Sequence, residues 1–441
     1  MSRLVLPQQV YDHLLQVMRS SSLETAAVLW GNAVPGNHRL ARLVAREAVE
    51  VPEDAYALRT PSRIQLKPEF LAHLGKEARR RQESLVFVHS HGGAPAFFSS
   101  IDDAGEAPLN TFLKERTPEL SHASMVFAET GCVARVLGSG DRLRVFVVGS
   151  QLTVASRDDG EVVLPAEYDR QIRAFGQLGQ ALLRSLRVAL VGVGGTGSVI
   201  AQQLAYLGVT SFLLIEPDKV DRTNLNRLVG AMPGDEGRPK MEVVRDMIMR
   251  VQPDAEVECI PASVNRRAIA VLLADTDFVF CCTDSQGSRY VLNQIAYQFL
   301  LPTIDVGVVI DPKRTPMHLG LRTQLLSPGL PCLTCTNYLS ADQVRRDLQT
   351  EVERRADPYF TGPGEPAPAV ISLNSAACSI AVTMFLSAVT GLPGPRAVQG
   401  NLSTGHLKPF TAACHPGCIT CSSRGALAKA LRWELPGRAD E

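Results

Sequence analysis

Short runs of consecutive apolar residues, each closed by a polar or glycine-rich turn, recur along this chain. Leu85-Val86-Phe87-Val88 reads as a buried strand. Val188-Ala189-Leu190-Val191 is another, continuous rather than alternating, as in a parallel sheet covered on both faces. Leu213-Leu214-Ile215 and Phe278-Val279-Phe280-Cys281-Cys282 repeat the pattern. The run Ser198 to Leu207 has helical character, so 188–215 predicts strand, glycine turn, helix and strand in that order. Ser375 to Ala381 reads as a buried helix. Asp158-Asp159-Gly160-Glu161 is polar and turn-like and places a boundary near Ser156 to Pro165. From Asp357 to Pro368, the residues Pro358, Pro363, Pro366, Gly362 and Gly364 exclude a regular element and predict a crossover loop. The sequence has no internal repeats.

Composition fits this α/β reading. At 441 residues, 45% of them hydrophobic, the chain exceeds what one core usually organises. Two domains are expected, about 1–155 and 160–441. A formal net charge of zero removes the electrostatic case for nucleic acid or membrane binding. No apolar run of about 18 residues stands out as a membrane span. Met1 to Pro7 is too soon broken for a signal peptide, so a cytoplasmic protein is expected.

The first chemical signature is His89-Ser90-His91, followed by seven residues and then Ser99-x-x-Asp102. Two histidines two apart share one face of a strand, and Asp102 would come from the helix that follows. Two imidazoles and a carboxylate are the ligand set of a zinc site with one open position. Ser99-x-x-Asp102 also spells a capping box, and strand histidines can simply be satisfied polar residues. The full string, H-x-H-x7-S-x-x-D, resembles the JAMM motif of the MPN/JAB metalloproteases. That resemblance implies a cytidine-deaminase-like α/β domain with Zn2+ on His89, His91 and Asp102 and water as the fourth ligand. Glu24, upstream in Leu23 to Gly31, would take the water's proton and pass it to the leaving amine. Ser99 would stabilise the oxyanion. The implied substrate is a peptide or isopeptide bond after the C-terminus of a ubiquitin-like protein. Gly92 departs from the family, which often has proline there.

The second signature opens with Gly192-Val193-Gly194-Gly195-Thr196-Gly197 between strand and helix. Such a turn lets backbone approach a phosphate, with the free N–H groups of a helix N-terminus aimed at it. Glu216 closes the next strand, where an acidic residue can accept hydrogen bonds from a ribose. An NAD-dependent dehydrogenase would share these features. Asp218, Asn224-Leu225-Asn226-Arg227, Lys240 and Asp284 favour a triphosphate instead: the cations neutralise phosphate, and an aspartate ending a strand can hold Mg2+.

From Tyr168 to Leu386 these residues resemble the ThiF/MoeB adenylating enzymes, which include the ubiquitin-activating enzymes. The resemblance implies a Rossmann-like doubly wound domain. Glu216 would bind ribose, Asn224, Arg227 and Lys240 the phosphates, and Asp284 Mg2+. Arg170 would reach the ATP of a neighbouring subunit, making a homodimer. The reaction would be attack of a protein C-terminal carboxylate on the α-phosphate of ATP. Partners would be a ubiquitin-like or sulfur-carrier protein and a conjugating-enzyme homologue.

Two C-x-x-C pairs, Cys332/Cys335 and Cys418/Cys421, can make a closed tetrahedral zinc site, and their placement matches that family. Cys414 and His415 could substitute as ligands. Many relatives carry an acceptor cysteine in the crossover loop, but Thr336 to Asn374 contains none. Three outcomes stay open. Cys378 accepts the acyl group, Ser372 forms an oxyester, or the adenylate is handed on directly. The expectation is therefore a bifunctional enzyme that trims a protein tail and then activates it, with sulfur-carrier activation as the alternative.

Overall fold

The computed structural model describes residues 2–36, 40–92, 95–156, 163–350, 352–353 and 367–438. The turn at 158–161 and the loop residues Pro358, Gly362, Pro363, Gly364 and Pro366 lie outside them. The chain divides into two compact units. The first takes Met1–Glu161 with Gln298–Leu300 and Ala426–Glu434; the second takes the remainder.

The first unit is one curled sheet. In chain order its elements are β1 (Ser2–Pro7), α1 (Gln8–Met18), β2 (Ala26–Pro35), β3 (Leu40–Glu50), β4 (Tyr56–Thr60), β5 (Arg63–Leu66), α2 (Pro68–Arg81), β6 (Ser84–Ser90), α3 (Ser100–Arg116), β7 (Ala123–Ala128), β8 (Gly131–Val136), β9 (Arg142–Val148) and β10 (Leu152–Val154). The strand order is β1-β3-β2-β6-β7-β8-β9-β10, and β1 also pairs with β9, so the sheet closes on itself. Alternate residues of β2 and β6 feed two cores. Ala27, Leu29, Val86 and Val88 face one, with α1; Val28, Trp30 and Leu85 face the other, with α2. The strand expected at 85–88 is the middle of β6. The hairpin β4–β5 stands apart from the sheet.

The second unit follows as α4 (Asp169–Ser185), β11 (Arg187–Val191), α5 (Gly197–Tyr206), β12 (Ser211–Ile215), α6 (Lys240–Val251), β13 (Glu256–Ile260), α7 (Arg267–Leu272), β14 (Phe278–Cys281), α8 (Gln286–Gln298), β15 (Thr303–Asp311), β16 (His318–Leu326), α9 (Ala341–Leu348), α10 (Ile371–Thr390), β17 (Ala397–Asn401) and β18 (His406–Pro409). Its sheet runs β13-β12-β11-β14-β15-β16-β17-β18. Pairing is parallel from β13 to β15 and antiparallel from β15 to β18. The chain winds outward from β11 in one direction, then returns to β14 on its other side. That switch point leaves a crevice beyond the C-terminal ends of β11 and β14.

Helix α10 departs from expectation. By length and composition it could cross a membrane, whereas no such run was expected. Half of it is buried, and it packs on α4, α5, β15 and β16 as a core helix of this unit.

Candidate functional sites

In the first unit, strand register assembles the site. Ala26 pairs with His89 in the antiparallel β2–β6 ladder. Ser90 N donates to Thr25 O at 2.9 Å, so the pairing continues and sets Glu24 opposite His91. Paired residues share a face, which brings Glu24 to the side of the two histidines. The peptide groups of Glu24 are held as well: its N–H donates to Thr60 O at 2.9 Å, and Arg59 Nε donates to its carbonyl at 3.0 Å.

Asp102 arrives by helix capping. Ser99 is the N-cap of α3, and Ser99 and Asp102 form a complete capping box. Asp102 Oδ2 accepts from Ser99 N at 2.6 Å and from Ser99 Oγ at 2.7 Å, and Oδ1 faces His89 Nε2 at 2.9 Å. The cap and ligand readings of this motif are therefore one arrangement. In this arrangement the Ser99 hydroxyl supports the Asp102 carboxylate. Arg135 on β8 fixes the helix by pairing with Asp103 at 2.7 Å and Glu106 at 2.9 Å.

The donor atoms fit a tetrahedral metal. Ligands about 2.0 Å from zinc lie about 3.3 Å from one another. His89 Nε2 and His91 Nε2 are 3.1 Å apart, and Asp102 oxygens lie 2.9 Å from the first and 3.5 Å from the second. Burial opposes ionisation of Asp102, but the two imidazoles and Ser99 hold its carboxyl well below the usual carboxylate range. Its hydrogen bond raises the His91 pKa, against burial. Burial pushes Glu24 upward, and the two imidazoles pull it back.

The second unit holds a cavity of about 1280 Å³ at the switch point. Gly192, Gly194, Gly195, Asp218, Asn224, Arg227, Lys240 and Asp284 all line it. Gly192 takes φ of 85°, and a Cβ on Gly197 would stand 2.0 Å from the Gly192 carbonyl oxygen, so the turn needs both glycines. Glu216 lines the cavity too, but its carboxylate is engaged: Oε2 accepts from Val193 N at 2.8 Å and Oε1 from Asp218 N at 3.0 Å. It therefore fixes the glycine turn, a task the ribose expectation overlooked. Burial raises its pKa, with Lys240 opposing. Asp218 is the exposed carboxylate here and takes Lys240 Nζ at 2.9 Å. Asn224 closes a capping box with Asp221, and Arg227 Nη1 donates to Thr223 O. Asp284 is exposed just beyond β14. Arg170 is exposed on the first turn of α4 and is not among the residues described as lining this cavity.

The floor beside Asp284 was not foreseen from the chain. Arg289 Nη1 bonds the fully buried Asp305, while Nη2 donates to Thr283 O at 2.8 Å and Val306 O at 2.9 Å. Cys378 is fully buried, and its thiol donates to Thr196 O at 3.3 Å. Burial pushes that thiol up to about 12, which is unsuited to acyl acceptance. Ser372 is exposed on the first turn of α10.

The four predicted thiols converge. Cys332 and Cys418 sulfurs are 3.5 Å apart, as are Cys335 and Cys421, close to the roughly 3.8 Å edge of a four-thiolate zinc site. A hydrogen bond from Cys421 draws the Cys332 thiol down to about 5, while burial pushes Cys335 up to about 11. Four sulfurs so placed are a set suited to a cation. His415 contributes its backbone N–H, to Cys335 Sγ at 3.3 Å.

The ThiF family model matches residues 168–415, and the model of prokaryotic homologues of the JAB domain matches 7–138. Molybdopterin-synthase adenylyltransferase of Escherichia coli (strain K12) is 28% identical over 257 residues, 58% of this chain and 95% of that protein. SAMP-activating enzyme E1 of Haloferax volcanii is 32% identical over 160 residues, covering 36% of this chain and 56% of its own. Among solved structures, E. coli MccB with MccA-N7isoASN aligns at TM-score 0.49 and 19% identity over 58% of this chain and 75% of that one. The chain belongs to the ThiF family and carries a JAB domain ahead of its ThiF domain.

Proposed function

We propose that the ThiF domain activates the C-terminal carboxylate of a ubiquitin-like protein by adenylation, and that the JAB domain cleaves a peptide or isopeptide bond at such a terminus. The observation that carries the reading is the gathering of the glycine turn, Asp218, Arg227, Lys240 and Asp284 around one cavity. Arg227 and Lys240 neutralise phosphate charge, Asp218 takes the ribose hydroxyls, and Asp284 holds Mg2+. Positioning and charge neutralisation supply the rate. Arg170 serves the site of a second copy in a homodimer.

In the JAB domain His89, His91 and Asp102 hold Zn2+, which, when bound, acidifies water and polarises a carbonyl. Glu24 accepts the proton and returns it to the leaving amine. The four cysteines hold a structural Zn2+. The protein acts in the cytoplasm, and a conjugating-enzyme homologue receives the acyl group. A tail must expose its carboxylate before it can be activated, so cleavage and adenylation form a sequence. A second reading, sulfur-carrier activation, draws on the nearly full-length match to the E. coli adenylyltransferase.

Paired variants test the reading. His89→Ala should abolish cleavage and leave ATP–pyrophosphate exchange intact, and Asp284→Ala should do the reverse. Loss of both activities from either change, in a folded protein, would defeat it. Mass spectrometry after incubation with ATP and partner separates direct transfer, which leaves no adduct, from an oxyester on Ser372.

A further inference from the structure

We infer that Asn374 is a phosphate-binding residue of the nucleotide site, contributing its side-chain amide to a phosphoryl oxygen seated over Gly195. The inference rests on the adenylation reading above. Asn374 stands in the first turn of α10, a helix of 20 residues, and lines the cavity together with Ala369, which precedes the helix. The residue is only 5% exposed, yet among the described residues its side-chain amide has no hydrogen-bond partner. The amide opens onto the cavity, where a ligand or water can take its hydrogen bonds.

The amide is aimed at the glycine turn. A Cβ built on Gly195 would lie 2.6 Å from Asn374 Nδ2 and 3.3 Å from Arg227 Cδ, so the turn, the amide and the arginine meet at one point. One turn later on the same helix face, Cys378 donates to Thr196 O at 3.3 Å. That contact fixes the helix against the turn and sets the direction of Asn374. The partial positive charge of the helix N-terminus adds to the amide donor, and together they suit a phosphate better than an uncharged group.

The test uses the full chain with ATP and Mg2+ alone, followed by calorimetry, so no acceptor protein is needed. Asn374→Ala should weaken ATP binding about 10- to 100-fold, the usual cost of one hydrogen bond to a charged group, and Asn374→Asp should weaken it further. Adenosine, which lacks phosphate, should bind all three proteins equally. AMP should lose as much as ATP if the contacted oxygen is on the α-phosphate; an undiminished AMP affinity places it on the β- or γ-phosphate. Unchanged ATP affinity in Asn374→Ala overturns the inference. Equal losses for ATP and adenosine overturn it too, because they mark a structural role. Failure of the wild-type chain to bind ATP would instead reject the adenylation reading itself.

Discussion

The two sites are built in different ways. In the JAB domain the donors come from a few adjacent places: an antiparallel pair of strands sets Glu24 across from His91, and a helix cap delivers Asp102. Local rules decide His89, His91 and Asp102, and one strand pairing adds Glu24. In the ThiF domain the cavity draws on residues from Val191 to Arg438. There the sheet's switch point gathers the glycine turn with groups from other strand ends. A local site should fail abruptly when one ligand or one base is changed. A dispersed site should fail by degrees, unless the buried charge beneath it is exposed.

Glu24→Gln is the sharpest test of the local site. It removes the proton acceptor and keeps the shape. Cleavage should fall 10²- to 10⁴-fold while ATP–pyrophosphate exchange holds. A variant still cleaving within a few-fold of wild type would mean that the base is elsewhere. The dispersed site should prove most sensitive at Asp305, whose partner Arg289 is buried with it. Asp305→Asn leaves that guanidinium uncompensated and should cost about 3–5 kcal/mol, seen as a lower urea midpoint by circular dichroism. An unaltered midpoint would show that the pair is dispensable.

His122 separates the units by pH. Its Nδ1 accepts from Leu85 N at 3.0 Å and its Nε2 meets Thr117 Oγ1 at 2.9 Å, so the neutral ring is the one that fits. Burial pulls its pKa down to about 4. Between roughly pH 6.5 and 4 the unfolded chain binds a proton that the native state refuses. Stability is therefore complete above pH 6.5 and is lost as pH falls toward 4, by on the order of 2–3 kcal/mol. Both tryptophans, Trp30 and Trp433, belong to the first unit, so their fluorescence follows its unfolding. His122→Gln should flatten that dependence; an equally steep curve in the variant would assign it to other groups. Smallest of all, Ser99→Ala should cost about 1 kcal/mol by the same fluorescence. It should also weaken Zn2+ binding by the JAB domain. Unchanged metal affinity would confine Ser99 to the cap.

Legibility in sequence follows the same divide. His89, His91, Ser99 and Asp102 could be read directly because strand alternation and capping each act within a few residues. Glu24 lay beyond such rules: spacing alone does not show that β2 pairs with β6, and only family resemblance pointed to it. The strand–turn–helix around Gly192 was equally plain, since an uninterrupted apolar run and clustered glycines are local signals. Roles within the cavity were harder. Glu216 and Asp218 stand two apart, and nothing in the chain says which carboxylate turns inward to hold the backbone. Arg289, Asp305 and Asn374 were invisible for a related reason. Each looks ordinary where it stands, and its meaning comes from partners that the sheet and α10 bring to it. The same holds for α10, whose apolar length is explained by packing on four neighbours.

The cysteine cluster has a mechanical consequence for the ThiF domain. Each facing pair of sulfurs is separated by 86 residues, and the enclosed chain carries α10, β17 and the cavity wall from Gln399 to Lys408. Fastening the ends of so long a loop removes about 4–5 kcal/mol of disorder from the unfolded chain on the chain-entropy estimate for a cross-link. With a metal as the fastener, that restraint rises and falls with the ion's availability. Chelation would then loosen nucleotide binding at a distance, although no cysteine of the cluster borders the pocket.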